Sequence, residues 1–157
     1  MNVSRGAARA TPAADYRRRG RECAYANLKL MARAIGTLYD EALEPSGLRA
    51  SELALLWAIV ALEPAPLSRL AEATLTDVTT LSRTVLRLSR ARLCRIVRGD
   101  DRRVRVVTST ALGRRRFDAA MPCWERAQAR AEAYLPVTAV ARIARHLIAA
   151  HRHPSRR

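Results

Sequence analysis

Between Thr76 and Arg90, apolar residues recur every three or four positions, which predicts an amphipathic helix. Four apolar side chains share one arc and form the predicted buried stripe, while threonines and arginines collect on the opposite arc. Thr76 or Asp77 could supply the oxygen that caps the first free amides. The stripe is Val78, Leu81, Val85 and Leu88, and the opposite face carries Thr79, Thr80, Arg83, Arg87 and Arg90.

A shorter helix is predicted just before this one, over residues 67–73. Leu67, Leu70 and Ala71 lie on one side of it. Only a short turn, about residues 74–76, separates the two helices. This spacing is typical of a helix-turn-helix.

A β-hairpin is predicted directly after the second helix. Residues 93–97 alternate as a short strand does, Gly99 and Asp100 give a turn signal, and the valine-rich residues 104–108 form the return strand. A helix-turn-helix followed at once by such a hairpin indicates a winged helix.

Arginines crowd the tip of the predicted hairpin around only two acids, Asp100 and Asp101. Such a cluster repels itself unless an anion binds, and the narrow minor groove of DNA attracts inserted arginines. Asp101 could pair with Arg103 and hold it in position. The alternative is a hairpin whose charges are merely solvated. The arginines are Arg98, Arg102, Arg103 and Arg105.

The polar face of the helix over residues 76–90 suits the DNA major groove. Short hydroxyl side chains at its start, Thr79 and Thr80, allow a close approach to bases and phosphates, and longer arginines follow. Arg83 is the strongest candidate for a base contact, because a bidentate arginine–guanine pair discriminates by about 1–3 kcal/mol. The alternative is that these arginines only solvate an exposed face.

Apolar stripes on helices outside the winged helix predict a homodimer. One stripe follows a long first helix, one a helix after the wing, and one a last helix that starts after Pro136. These helices exceed what one small domain needs to cover itself, so we expect helices of two chains to interleave around a twofold axis. The stripes are Leu28, Met31, Ile35 and Leu38; Phe117, Met121, Trp124 and Gln128; and Val137, Val140, Ile143, Ala144, Leu147 and Ile148.

The predicted fold class is therefore mainly α-helical with a small β-hairpin wing. A winged helix-turn-helix is flanked in this prediction by N-terminal and C-terminal dimerisation helices. The expected boundaries are 1–15 for a flexible arm, 16–151 for the winged-helix domain, about 49–112 for its DNA-binding core, 16–44 and 113–151 for its dimerisation helices, and 152–157 for a basic tail.

Composition favours a polyanion as partner and speaks against an enzyme. The 157 residues include 29 lysines and arginines against 14 acids, and the formal net charge is +15. The histidines lie at the C-terminal end without an acid or nucleophile, and neither a glycine-rich phosphate loop nor a Cys-x-x-Cys pair is present. We expect no catalysis, no cofactor and no metal site. The histidines are His146, His151 and His153.

The sequence predicts neither a membrane segment nor a disulfide framework. The longest apolar run, residues 53–62, is about half of what spans a bilayer and predicts a buried core helix. Three cysteines without close spacing fit a reducing cytoplasm, and most are expected in the core. Cys23 is the exception, because a helix N-terminus and a neighbouring cation, Arg21, favour a reactive thiolate that could sense oxidants.

Several short motifs together resemble the MarR family of dimeric winged-helix regulators in bacteria. The resemblance spans about residues 23–128. Its motifs are Leu70-Ala-Glu, Asp77-Val-Thr-Thr-Leu-Ser-Arg83, Asp101-Arg-Arg103 and Thr110-Ala-Leu-Gly113. The DNA contacts that it implies are Thr79, Thr80, Arg83 and Arg87 on the helix and Arg103, steadied by Asp101, on the wing.

Two positions depart from the family pattern. Arg92 stands where a glycine often ends the recognition helix, and a left-handed cap there costs about 1 kcal/mol relative to glycine. Ser109 replaces the leucine expected before Thr110. Both changes could alter how the strands dock, and neither removes a DNA contact.

The resemblance also implies a cleft for a small effector, between the dimer helices and the DNA-binding part. Tyr25, Tyr39, Trp57 and Trp124 could line it, although aromatic residues on apolar helix faces more often belong to the core. Peroxide-sensing members carry a cysteine early in the first helix, as Cys23 does here, but the tyrosines of their pattern are missing.

The function predicted from the sequence is that of a cytoplasmic, sequence-specific DNA-binding regulator, most often a repressor in this family. Its partners would be a second copy of the chain, a pseudo-palindromic operator in double-stranded DNA, and a small ligand or an oxidant, with no membrane involved. The alternative is a nonspecific DNA-coating protein without an effector.

Overall fold

The computed structural model describes residues 13–99 and 104–152. It is mostly helical with a small antiparallel sheet, which confirms the predicted fold class. The chain divides into two compact units, Met1–Ile35 and Gly36–Arg157. In chain order the elements are α1 (Ala13–Glu22), α2 (Ala24–Leu43), a 3₁₀ turn (Glu44–Ser46), α3 (Ala50–Leu62), β1 (Ala65–Pro66), α4 (Leu67–Thr74), α5 (Val78–Arg90), β2 (Cys94–Arg98), β3 (Arg105–Ser109), α6 (Ala111–Glu132) and α7 (Val137–Arg152).

The first unit contains α1 and the first part of α2. Asp15 pairs with Arg18 and with Arg19, each at a nitrogen–oxygen distance of 2.8 Å and at a helical spacing that stabilises α1. Residues 13–15, which the sequence predicts as part of a flexible arm, are therefore helical. The rest of the predicted arm, residues 1–12, lies outside the described residues.

A short turn joins α4 to α5. Leu75 ends α4 in the left-handed conformation with φ of 49°. Asp77 then caps α5, because its Oδ1 accepts the Thr80 N–H at 2.8 Å. The hydrogen bonds from Thr80 hold the pKa of the Asp77 carboxyl below its ordinary value. The helix-turn-helix predicted from the sequence is thus closed by a side-chain cap.

The apolar stripe of α5 is buried except at its first residue. Leu81, Val85 and Leu88 are at most 3% exposed, as predicted. Val78 is 47% exposed, so the prediction for this residue is wrong. Side chains lean toward the N-terminus of their helix, and Val78, at the first position, therefore extends past the packed face.

The sheet has the order β1, β3, β2, with β3 in the centre. Ala65 of β1 pairs with Val107 of β3. The Gly99 N–H donates to the Val104 carbonyl at 2.8 Å and closes the hairpin. The hairpin is confirmed, although each strand lies one residue later than predicted. Residues 100–103 at its tip lie outside the described residues.

The link from α5 through β2 to α6 depends on a left-handed residue and a close backbone approach. Arg92 has φ of 61°, the conformation that a glycine would adopt more easily. The Thr110 hydroxyl donates to the Arg92 carbonyl at 2.6 Å and accepts the Gly113 N–H at 2.9 Å, which caps α6. A Cβ on Gly113 would lie 1.9 Å from the Leu93 carbonyl oxygen, so glycine is required there.

Ser109 docks the end of β3 on the end of α3. Its side chain is buried, and both its N–H and its hydroxyl donate to the Glu63 carboxylate, the hydroxyl at 2.9 Å. Arg114 pairs with the same carboxylate, and its Nε donates to the Ser109 hydroxyl oxygen at 3.0 Å. The residue that stands in place of the family's leucine thus docks the strand through hydrogen bonds.

The hydrophobic core is formed by α3, α4, α5, α6, the sheet and the end of α2. Leu56, Ile59, Leu70 and Val107 are fully buried at its centre. Helix α3 is the predicted core helix, but Trp57 on it keeps 42% of its surface exposed. The face of α3 that carries Trp57 is therefore open to a ligand or another chain.

The apolar stripes of α2 and α7 remain largely uncovered. Leu28 and Met31 of α2 are 48% and 39% exposed, and Ile143 and Leu147 of α7 are 54% and 53% exposed. Among the described helices, none alone has the length and apolar character to cross a membrane; one bent pair passes by length and composition only.

Candidate nucleic-acid interface

The polar face of α5 is open to solvent. Thr79 and Thr80 are exposed in its first turn, and Arg83 and Arg87 are exposed further along. Arg83 and Arg90 form no ion pair with any residue in the described ranges. The helix therefore presents hydroxyl groups at its start and uncompensated cations behind them, an arrangement that suits the major groove of DNA.

Arg87 is the arginine on this face that has a partner. Its Nε lies 3.0 Å from Oε1 of Glu52, whose side chain is only 15% exposed. The second oxygen of Glu52 accepts the Arg49 N–H at 3.0 Å, at the start of α3. Sequence reasoning misses Glu52, because the pair joins two helices that are distant along the chain.

The stem of the wing is equally basic. Arg98 of β2 and Arg105 of β3 are directly opposite each other in the ladder, and both are exposed. Like charges in this arrangement are destabilising unless an anion lies against them. The predicted tip residues Asp101, Arg102 and Arg103 lie outside the described residues.

Short backbone contacts fix the wing stem relative to α5. The Leu93 N–H donates to the Leu88 carbonyl at 2.9 Å, so β2 starts directly against the last turn of α5. The buried thiol of Cys94 lies 3.6 Å from the Val85 carbonyl oxygen. The two basic surfaces therefore belong to one packed unit and can contact the same nucleic acid.

A pocket of about 620 Å³ opens between α2, α3, α4 and α6. Tyr39, Trp57 and Trp124, three of the residues considered for an effector cleft, line it. The Trp57 ring meets the Trp124 ring edge to face, with centroids 5.5 Å apart. Tyr25, the fourth residue, lies in the first unit and is 72% exposed. None of the described side chains that line the pocket is charged.

Tyr39 provides a polar group at this pocket. Its hydroxyl donates to Gln128 Oε1 at 2.6 Å, and Gln128 in turn donates to Glu132 at 3.2 Å. Burial and the nearby Glu132 carboxylate raise the pKa of Tyr39, so the phenol stays neutral at physiological pH. With its own proton donated to Gln128, the hydroxyl oxygen can accept a hydrogen bond from a ligand.

The cysteines differ in access. Cys94 and Cys123 are buried, as expected for core residues, and burial raises the pKa of the Cys94 thiol to about 11. Cys23 is exposed between α1 and α2. Within the described part of the chain, Cys23 is therefore the thiol that an oxidant in solution can reach.

Solved structures similar to this chain are transcriptional regulators rather than enzymes. The M. tuberculosis transcriptional regulator MosR, solved in complex with DNA, is 31% identical, with a TM-score of 0.75 over 85% of this chain and 98% of that one. A MarR-family regulator from Rhodococcus sp. RHA1 is 22% identical, with a TM-score of 0.66 over 82% and 91%. CouR from Rhodococcus jostii RHA1, solved with p-coumaroyl-CoA, is 24% identical, with a TM-score of 0.64 over 76% and 85%. Neither a family model nor a curated protein matches the sequence.

Proposed function

Since the chain belongs to the MarR family of winged-helix transcriptional regulators, we propose that it is a cytoplasmic repressor that binds a pseudo-palindromic operator in double-stranded DNA. The observation that carries this proposal is the exposed face of α5, where Thr79, Thr80 and Arg83 stand together. In this proposal α5 enters the major groove, and Arg83 forms the bidentate contact with guanine O6 and N7.

The wing supplies contacts that position the protein on DNA. Arg98 and Arg105, opposite each other on the stem, would neutralise backbone phosphates beside the groove that α5 enters. From the sequence alone, we also propose DNA contacts for the predicted tip, made by Arg102 and Arg103 with Asp101 beside them. In this proposal Arg103 reaches the minor groove. Contacts of this kind add affinity on all DNA and little base preference.

The uncovered apolar stripes support the proposal of a homodimer. Leu28, Met31, Ile143 and Leu147 lie on two helices and are each at least 39% exposed. Burying them against a second copy would stabilise both chains. A twofold dimer would also place two α5 helices in successive major grooves, which matches a pseudo-palindromic operator.

The pocket lined by Tyr39, Trp57 and Trp124 is the proposed effector site. Its uncharged lining suits an apolar or aromatic group without a buried charge, since an unpaired charge would lose its hydration there. The CouR structure is bound to p-coumaroyl-CoA. Ala73 and Thr74 of α4 also line the pocket, so a ligand would act on the helix that leads into α5.

An oxidant is the second proposed signal, acting through Cys23. The exposed position of this thiol supports the proposal. We expect that oxidant releases the wild-type protein from DNA and leaves a Cys23→Ser variant bound. Equal release of both proteins would remove Cys23 from the mechanism.

Fluorescence anisotropy at several salt concentrations tests the DNA-binding role. One duplex is selected from a random library by the wild-type protein, and the other is scrambled. We expect a preference of at least ~10³ for the selected duplex. Arg83→Ala should flatten that preference, while Arg98→Ala should weaken binding to both duplexes and lower the salt slope by about one. Equal losses on both duplexes from Arg83→Ala would contradict its reading role.

A nonspecific DNA-coating protein is the second candidate function. The net charge of +15 and the paired arginines of the wing stem favour it. It predicts equal and steeply salt-dependent binding to the selected and scrambled duplexes. It also predicts no ligand response. The two tryptophans of the chain both line the pocket, so their fluorescence reports ligand binding directly.

A further inference from the structure

Glu52 is an acid that the DNA-binding role does not explain. It lies in the first turn of α3, beside the DNA-binding face of α5, where a negative charge repels phosphates. The side chain is nonetheless 15% exposed and in contact with Arg87, which is 56% exposed. An acid in this position weakens DNA binding unless it also orients Arg87 for a contact with DNA.

We propose that Glu52 is a positioning residue that orients Arg87 to clamp a DNA phosphate, an inference that rests on the proposed DNA-binding function. An arginine guanidinium has two edges that can each donate two parallel hydrogen bonds. Nε of Arg87, on one edge, lies 3.0 Å from the Glu52 carboxylate. No second acid pairs with Arg87 in the described ranges, and the five N–H donors of a guanidinium exceed what one carboxylate accepts, so donors remain whose fork matches a phosphate.

The carboxylate is itself held in place, so it can hold the arginine. Its Oε2 accepts the Arg49 N–H at 3.0 Å, while its Oε1 lies beside Arg87. A long arginine side chain loses rotamer freedom when it binds a ligand, and a partner that already restrains it reduces that loss. Arg87 is thus ordered before DNA arrives.

Arg83, one turn earlier on the same helix, has no such partner in the described residues. A side chain without a fixed partner can adapt to a base edge, whereas a restrained one suits the regular position of a phosphate. The two arginines therefore have different roles. Arg83 reads bases, and Arg87 fixes the distance and register of α5 on the backbone.

The direction in which one substitution changes DNA affinity tests this inference. Glu52→Gln keeps the size of the side chain and an oxygen that accepts the Arg49 N–H, but it removes the charge. Simple electrostatics predicts tighter DNA binding. Positioning predicts the opposite: a loss of roughly three- to tenfold on both the selected and the scrambled duplex, with a salt slope lower by about one. Glu125→Gln removes the same charge from an exposed position on α6, and it should leave affinity unchanged or raise it.

A double-mutant cycle completes the experiment. Once Arg87→Ala has been made, adding Glu52→Gln should cause no further loss, because the two residues act as one unit. Arg87→Lys keeps the charge without the two-edged fork, and it should lose as much as Glu52→Gln. Thermal melts of each variant establish that the titrations are made on folded protein.

The outcomes separate the two proposals. If the wild-type chain binds DNA and Glu52→Gln binds it equally or more tightly, the positioning role is wrong and the DNA-binding function stands. The positioning role is also wrong if the losses of DNA affinity from Glu52→Gln and Arg87→Ala add fully in the double variant. If the wild-type chain binds neither duplex, the DNA-binding function itself fails, and the inference about Glu52 fails with it.

Discussion

The winged-helix core, from α3 to β3, and the two flanking helices, α2 and α7, bury their apolar side chains to very different extents. Ile59 and Leu70 in the core are fully buried, whereas Ile143 and Leu147 on α7 are more than half exposed. A helix with an apolar stripe gains most of its stability from whatever covers that stripe. The core therefore depends on contacts within the chain, whereas we expect α2 and α7 to depend on the proposed second copy.

The largest effect is expected from Ile59→Ala in the core. The substitution leaves a cavity among fully buried neighbours and should lower the free energy of unfolding by about 3 kcal/mol. The matched control is Ile143→Ala on α7, with a 54% exposed side chain, which should cost less than about 1 kcal/mol at concentrations where the chain is monomeric. Urea denaturation at fixed low concentration measures both. Equal losses would show that α7 is part of the core.

The double substitution Ile143→Glu with Leu147→Glu tests the partner of α7. Two charges on a stripe that meets a second copy should weaken the dimer by at least about 100-fold, because buried charges lose their hydration. Size exclusion with light scattering should then show a monomer at micromolar concentration. Arg145→Glu changes a charge on the opposite side of α7 and should leave the dimer intact. A wild-type monomer would refute the proposed homodimer.

The core could be predicted from the sequence because its contacts follow local patterns. Leu81, Val85 and Leu88 recur at helical spacing, and they pack against elements that are near neighbours along the chain. The hairpin follows equally from alternation and a turn signal. Val78 has the same spacing and is exposed, since periodicity does not show where a packed face ends.

The remaining features depend on pairs that are distant in sequence. Glu52 meets Arg87, and Glu63 meets Ser109, across different elements. In a chain with 29 lysines and arginines, spacing cannot decide which acid meets which base. The requirement for Gly113 is of the same kind, because it arises from the carbonyl oxygen of Leu93, twenty residues earlier in the chain.

A smaller effect on the free energy of unfolding is expected where the core holds a residue in an unfavourable backbone conformation. Arg92 has φ of 61°, and glycine adopts this conformation without steric cost. Arg92→Gly should therefore raise the free energy of unfolding by up to about 1 kcal/mol. Ala91→Gly is the control, because Ala91 has φ of −75° and should gain nothing. A loss of stability in Arg92→Gly would mean that the side chain makes contacts that outweigh the conformational gain.

The smallest expected effect concerns how α5 and α7 begin. Helix α5 is capped by the Asp77 carboxylate, whose pKa is held below its ordinary value chiefly by its hydrogen bond with Thr80. Because the folded pKa is the lower one, the cap stabilises α5 above the unfolded pKa, and this stabilisation is lost as pH falls through the folded value. In α7 the Val140 N–H donates to the backbone carbonyl of Pro136 at 3.0 Å, which does not titrate.

Acid should therefore loosen the first turn of α5 before that of α7. Amide exchange at Thr80, compared with exchange at Val140 and corrected for the intrinsic effect of pH, should show protection falling selectively as pH falls through the lowered pKa of Asp77. Asp77→Asn keeps an oxygen that can accept the Thr80 N–H but does not titrate, so it should remove the difference. If Thr80 and Val140 lose protection together in both proteins, the two helix starts open with the whole fold, and the Asp77 cap does not determine the local stability of the first turn of α5.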